Sequence, residues 1–275
     1  MKKNGSLIKF FSYAILIIGV VWVVLPFVWM ILTAIKPANE VLSMPPKWLP
    51  SSIKLENFTT ALNVVNFRTY FINSILVSTF VTIGELITTI LSAYAFSHIN
   101  FKFRNIIFMI LVATMMVPGE ILMIPNYITL SKLNWINTYK ALILPWCASI
   151  FSIFLLKQQF SSVPSSYYKS SKIDGCSDFR YLISILLPIC KPTIFSIGIL
   201  KFINSWNSYM WPLITTNSDE MRTLPVALAA FSTEAGTRYN LLMAFSVVVI
   251  IPIIIMYIFT QKYIIKGVGN SGLKG

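Results

Sequence analysis

From Phe10 to Ile35 the chain runs through 26 consecutive residues without one charged side chain. In hydrocarbon the backbone has no water to bond with, so only a closed hydrogen-bond ladder satisfies it, and a helix needs about 20 apolar residues to cross about 30 Å. Six stretches meet that requirement, near 11–35, 70–96, 104–124, 139–160, 186–211 and 240–264. They predict an all-α membrane protein of six transmembrane helices forming one domain over residues 1–275. Charged residues make up 11% of the chain, against about 25% in soluble domains, which excludes an ordinary water-soluble fold. Lys2, Lys3 and Lys9 precede a first stretch that is too long for a signal-peptide core and has no small-residue cleavage pattern, so it reads as a retained span.

The charges are lopsided, with 22 Lys+Arg against 9 Asp+Glu. They fall in short clusters between apolar runs and not on one accessible face, which argues against nucleic acid as a partner. An even number of spans puts both termini on one side. If that side is the cytoplasm, the inner segments hold thirteen basic residues, from Lys2, Lys3 and Lys9 through Lys169, Lys172 and Arg180 to Lys274. The outer segments then hold eight, and the excess inside sets the orientation in a cell membrane, in contact with lipid. Pro37, Pro45, Pro46 and Pro50 make the outer segment from Lys36 to Thr69 an extended loop. Cys147, Cys176 and Cys190 have no metal-type spacing and read as incidental, reduced thiols.

Between the fourth and fifth stretches lies Val163-Pro-Ser-Ser-Tyr-Tyr-Lys-Ser-Ser-Lys-Ile-Asp-Gly175, in which Pro164 suits a helix start and Gly175 a helix stop. Its eleven inner residues reach only about 16 Å as a helix, half a membrane, so the segment 164–175 lies on the surface. By pattern alone it serves equally well as a loop anchor. The residues that follow decide the matter: Lys169-Ser170-Ser171, then Asp174-Gly175, then Ile185-Leu-Leu187-Pro188. Two small residues, a glycine and an Ile-x-Leu-Pro at these offsets resemble the EAA loop of the permease subunits of ABC importers, in its carbohydrate-importer form.

The likeness extends along the chain, through Phe71-Ile-Asn-Ser74, Pro118-Gly-Glu120 with Pro125, Ser205-Trp-Asn207, Trp211-Pro-Leu213, Arg222-Thr-Leu-Pro225, Leu242-Met-Ala244 and Gln261-Lys-Tyr263. Taken together these resemble the second permease of the maltose and oligosaccharide importer group. The resemblance implies that the surface helix couples to a separate cytoplasmic ATPase through Lys169, Ser170, Ser171, Asp174, Gly175, Ile185, Leu187 and Pro188. It implies a second homologous permease, two copies of the ATPase and an external solute-binding protein as partners. ATP and Mg would be bound by the ATPase, with no cofactor and no catalytic residue in this chain. It also implies that Gly272, Lys274 and Gly275 in the tail 265–275 reach the ATPase. Two departures stand out. Lys169 occupies the family's usual glutamate position, and Ser170 and Ser171 replace two alanines, so the charge offered to the ATPase is reversed while the packing residues stay small.

An ionisable group inside a span costs a few kcal/mol and normally faces protein or a water-filled cavity. Glu85 and Lys201 are such groups, either a structural pair or contacts for the solute. Asn204, Trp206 and Asn207 stand with them as candidate translocation-pathway residues, because amides bond sugar hydroxyls and aromatic faces pack on sugar rings. His98 carries no assigned chemistry. Gly267–Gly272 lacks the lysine of a phosphate loop, since Leu273 holds its place. The expected function is the permease of an importer for a sugar or oligosaccharide, not an enzyme. Glycerol 3-phosphate or a related polyol phosphate is the alternative solute. An ion-coupled secondary transporter is the rival class, for which Glu85 and Glu120 offer little coupling material.

The charge asymmetry yields a labelling prediction. A cysteine introduced at Ser170 or Asn270 will react only with membrane-permeant reagents in intact cells, and one at Ser52 or Ser218 with impermeant ones. Labelling of position 270 from outside would reverse the orientation.

Overall fold

A computed structural model of the chain describes residues 3–233 and 236–269, so the tail positions Gly272, Lys274 and Gly275 lie outside the described residues. The described chain is helical apart from loops and one two-residue antiparallel pairing, Ser232–Thr233 with Gly236–Thr237. Four helices are long and apolar enough to cross a membrane unbroken: Lys9–Ala34, Phe67–His98, Asp178–Trp206 and Tyr239–Gln261. Two bent pairs bring the number to six if each pair counts as one span.

The two bent pairs are where the apolar pattern and the helical backbone part company, and proline is the cause in both. The stretch 104–124 is not one helix: Arg104–Thr114 ends before Pro118, and the axis turns by 90° into Gly119–Lys132. Pro118 has no N–H to donate and disfavours α geometry at Val117, so the ladder stops there. Tyr139–Trp146 and Ile150–Ser162 meet at 40°, after Pro145, and the second is restarted by Ser149, whose hydroxyl accepts from the Ser152 amide. The Asp178–Trp206 helix starts some eight residues earlier than the apolar pattern implies. It carries a π-turn at Leu182–Leu186, just ahead of Pro188. In a regular α turn the Pro188 ring would crowd the Ser184 carbonyl, and the widened turn gives it room.

The described residues group into two compact units, 3–67 with 227–252 and 68–226 with 253–269. In the first, the proline-rich segment after Ala34 is more ordered than its composition predicts, with a nine-residue helix, Glu56–Val64, beyond the last proline. Asn57 holds it together by donating to the carbonyls of Ala34 and Lys36, at 2.9 Å each, and accepting from Asn240 at 3.1 Å. Lys36 is buried, donates to the Lys47 carbonyl, and lies 4.3 Å from the Trp29 ring centroid.

The second unit contains the surface helix and most of the motif residues. Two of the sequence motifs turn out to clasp each other. Asn73 donates to the Glu220 and Arg222 carbonyls at 2.7 and 2.9 Å, and accepts from the Tyr139 hydroxyl at 2.6 Å. The Ser74 hydroxyl accepts from the Leu224 amide at 2.7 Å. The run at 71–74 thus ties down the run at 222–225. Trp211 closes a further loop by donating from its indole nitrogen to the Ala141 carbonyl at 3.0 Å.

The break at Cys147 is braced from the Phe67–His98 helix. Thr88 donates to the Cys147 carbonyl at 2.6 Å, and Gly84 lets the two backbones approach so closely that a Cβ there would lie 2.5 Å from the Cys147 sulfur. Gly84→Val therefore overpacks this contact and will cost about 1–3 kcal/mol. The readout is the thermal unfolding of the detergent-solubilised protein, and an unchanged midpoint would show that the break is not held by this approach.

Candidate functional site

The surface helix runs from Ser165 to Ile173 and its start and stop are both written in the chain. Pro164 stands at the N-cap with ψ 133°, where the missing N–H costs nothing. At the other end Gly175 has φ +73°. The Gly175 amide donates to the Lys172 carbonyl at 3.1 Å and the Cys176 amide to the Ser171 carbonyl at 2.9 Å. This double closure is a Schellman stop, and its left-handed residue is glycine because a Cβ is strained at that φ.

The motif residues divide into two sets. Ser171 is buried against the unit, with its hydroxyl turned back to the Tyr168 carbonyl. Ile185 and Leu187 pack on a core of Tyr94, Leu156, Phe160, Tyr181, Leu186 and Cys190. Lys169, Ser170, Asp174 and Gly175 are exposed, and Ile173 is 86% exposed. Phe179, 65% exposed, and Tyr167, 51% exposed, extend that open surface. Pro188 is exposed as well, two residues past the π-turn.

A polar hub that the sequence did not reveal lies behind the helix. One carboxylate oxygen of Asp178 accepts from the Tyr168 hydroxyl at 2.8 Å and the Tyr94 hydroxyl at 3.2 Å, and pairs with the Lys172 ammonium at 2.8 Å. The Asp178 carboxylate raises the Lys172 pKa above the usual lysine range and likewise raises that of the Tyr168 hydroxyl. His98 stacks on Tyr94 at 5.0 Å and 7°, with the rings of Tyr168 and Tyr181 each at 5.6 Å. Asp178 thus joins the surface helix, the end of the Phe67–His98 helix and the start of the Asp178–Trp206 helix. The Tyr94–His98 spacing of four was visible as a helical pair. The closure of Lys172 onto Asp178 needed the turn at Gly175, whose geometry no periodicity reports.

Glu85 and Lys201 are brought together: the ammonium lies 2.6 Å from one carboxylate oxygen, and Ser152 donates to the other at 2.7 Å. The contact with Lys201 is an ion pair by distance and not an aligned hydrogen bond. The Glu85 side chain is 3% exposed and that of Lys201 17%, because Lys201 reaches a cavity of about 190 Å³. Asn204, Ser205 and Ser208 continue its polar wall, at helical spacing from Lys201, opposite Val77 and Val81. Trp146 lies over the ammonium, 5.9 Å from ring centroid to nitrogen. Trp206 does not line the cavity; it is buried between the rings of Phe71 and Phe202. Asn207 caps the helix end and is exposed, outside the cavity wall. Among the described residues no cluster of His, Cys, Asp and Glu is arranged to hold a metal.

Apolar helices interrupted by proline, an internal ion pair at a cavity and a capped surface helix define a multi-pass membrane transport subunit. The chain belongs to the binding-protein-dependent transport system inner membrane components, whose family profile matches residues 85–270. Members of that family are transport components and not enzymes. The arabinooligosaccharides transport system permease protein AraQ of Halalkalibacterium halodurans is 34% identical over 255 residues, covering 92% of this chain and 91% of that one. The sn-glycerol-3-phosphate transport system permease protein UgpE of Agrobacterium fabrum is 29% identical, covering 97% of this chain and 98% of its own. In fold, the chain is similar to a subunit of a bacterial ABC transporter involved in the import of the acidic polysaccharide alginate. The TM-score there is 0.84, with 23% identity and coverage of 96% and 98%.

The buried pair makes a quantitative prediction. Removing one partner of a buried ion pair leaves a charge without compensation and costs about 3–5 kcal/mol. Lys201→Ala will therefore lower the unfolding midpoint of the solubilised protein sharply, whereas Lys201→Ala combined with Glu85→Ala will recover much of the loss. Equal damage from the single and double changes would show that the two side chains are not coupled.

Proposed function

We propose that this chain is one of two membrane subunits of an ATP-driven importer that carries a sugar or oligosaccharide into the cytoplasm. The observation that carries the reading is the helix Ser165–Ile173, closed by Gly175 and exposing Tyr167, Lys169, Ser170 and Ile173 on one open surface. A membrane protein has little reason to hold such a rigid, partly apolar knob in water unless something docks on it. The partner that fits is a separate cytoplasmic ATPase, present in two copies, which would bind ATP and Mg. A second, homologous permease and an external solute-binding protein complete the assembly, and both termini lie in the cytoplasm by the charge asymmetry. The arabinooligosaccharide transport named for the Halalkalibacterium relative supports a carbohydrate solute. Glycerol 3-phosphate, named for the Agrobacterium relative, is the second reading.

On this reading ATP-driven closure pushes on the surface helix, and the Asp178 hub and the Ile185 and Leu187 packing pass the movement to the Phe67–His98 and Asp178–Trp206 helices. The helix must therefore be rigidly stopped. A left-handed residue with a side chain costs about 1–2 kcal/mol, except for asparagine, which tolerates that conformation. Gly175→Leu will leave the protein in the membrane at normal levels but lower uptake by about tenfold or more, while Gly175→Asn will retain most of it. Normal uptake by Gly175→Leu at normal membrane levels would remove this helix as the coupling element.

A further inference from the structure

We propose that the cavity at Lys201 is a subsite for one uncharged polyol ring, and that Glu85 sets its preference for neutral over anionic solutes. The inference rests on the reading of this chain as an importer subunit and adds the chemistry of what the cavity accepts. Lys201 supplies the cavity's one ionisable side chain among its described lining residues. An ammonium by itself would recruit a carboxylate or phosphate. Here it faces Glu85 at 2.6 Å, and the Ser152 hydroxyl holds the other oxygen of that carboxylate in place. A second anion would have to share the ammonium with a carboxylate that is buried and fixed, so the attraction it gains is offset by repulsion from behind. A hydroxyl meets no such penalty. The ammonium has three N–H donors, and because its contact with Glu85 is an ion pair and not an aligned hydrogen bond, donors remain for a neutral acceptor.

The rest of the wall suits the same ligand. Asn204 and Ser205 on the helix and Ser208 just past its end offer both donors and acceptors, the pattern that hydroxyl groups require. Trp146 supplies an aromatic face, 39% exposed, for the apolar side of a ring. At about 190 Å³ the space is smaller than the roughly 300 Å³ at which pockets for drug-sized ligands begin. It admits one ring and not a folded oligomer, so a longer chain would pass through it ring by ring.

The test uses the purified full transporter without its binding protein, carrying Ser208→Cys in a background cleared of other reactive cysteines. Alkylation at position 208 by a small methanethiosulfonate is timed in rising concentrations of arabinose and glucose, and separately of glucuronate and glycerol 3-phosphate. Half-protection by the neutral sugars is expected at concentrations lower by about fivefold or more, because a bound anion meets the repulsion of the fixed Glu85 carboxylate and a hydroxyl does not. Glu85→Gln leaves Lys201 unpaired and will reverse the order in favour of the anions. The exchange Glu85→Lys with Lys201→Glu keeps the pair neutral and will restore the preference for sugars, which keeps the idea testable if Glu85→Gln does not assemble. Equal protection by both classes, a ratio unmoved by Glu85→Gln where that variant assembles, a reversed order in the exchange variant, or protection by neither class would overturn the proposal. In the last case, uptake that still requires this chain discards the subsite and keeps the importer; uptake undiminished by deletion of the chain discards the importer.

Discussion

A backbone amide or carbonyl inside hydrocarbon must find its partner within the protein. In this chain the constraint is felt most where helices break. Each break frees carbonyls and amides that an unbroken helix would have used, and at several of them a polar side chain from elsewhere takes a freed carbonyl. Thr88 reaches the carbonyl of Cys147, Trp211 that of Ala141, and Asn73 those of Glu220 and Arg222. Asn57 does the same for Ala34 and Lys36, where the first long helix ends. The polar residues that look out of place in an apolar sequence are largely the ones that make its interruptions affordable.

The interruptions in turn shape the surface helix and the contacts behind it. The stop at Gly175 ends the surface helix and reverses the chain so that Asp178 faces back to Lys172 and Tyr168. Without that reversal the helix would be joined to the membrane segments by a flexible link. With it, one carboxylate links three helices, while Ile185 and Leu187 wedge beneath them. The π-turn ahead of Pro188 belongs to the same element and marks where the long helix departs from regular winding.

Charge is used differently at the two ends of this unit. The Lys172–Asp178 pair is open to solvent, with side-chain exposures of 37% and 57%, so its value is geometric and its net energy small. The Glu85–Lys201 pair is enclosed, and its desolvation is tolerable only because Ser152 completes the carboxylate and the two charges nearly touch. Lys169, which reverses the sign expected at its position, sits on the exposed surface and disturbs nothing inside the unit. Its effect is confined to whatever the surface helix meets.

Much of this protein was legible from local chemistry. Hydrophobic length dictated membrane helices, because about 20 residues per crossing is a property of the bilayer and not of any one fold. Pro164 and Gly175 announced a short surface helix, since their backbone preferences act on neighbouring residues alone. The meeting of Glu85 with Lys201 was suspected because two lone charges in apolar surroundings have few alternatives. What only the tertiary structure decided are the relations between residues far apart in the chain. The 90° turn at Pro118 could not be told from a kinked but continuous span. The clasp of Asn73 on 220–222, the closure of Asp178 on Tyr94, and the division of the pathway candidates each depend on how helices are rotated about their axes. Asn204 lines a cavity while Trp206 is buried and Asn207 caps a helix, although all three share one short segment. An apolar sequence leaves that rotation open, because lipid solvates every apolar face of a helix almost equally well, and only side-chain packing between helices selects one.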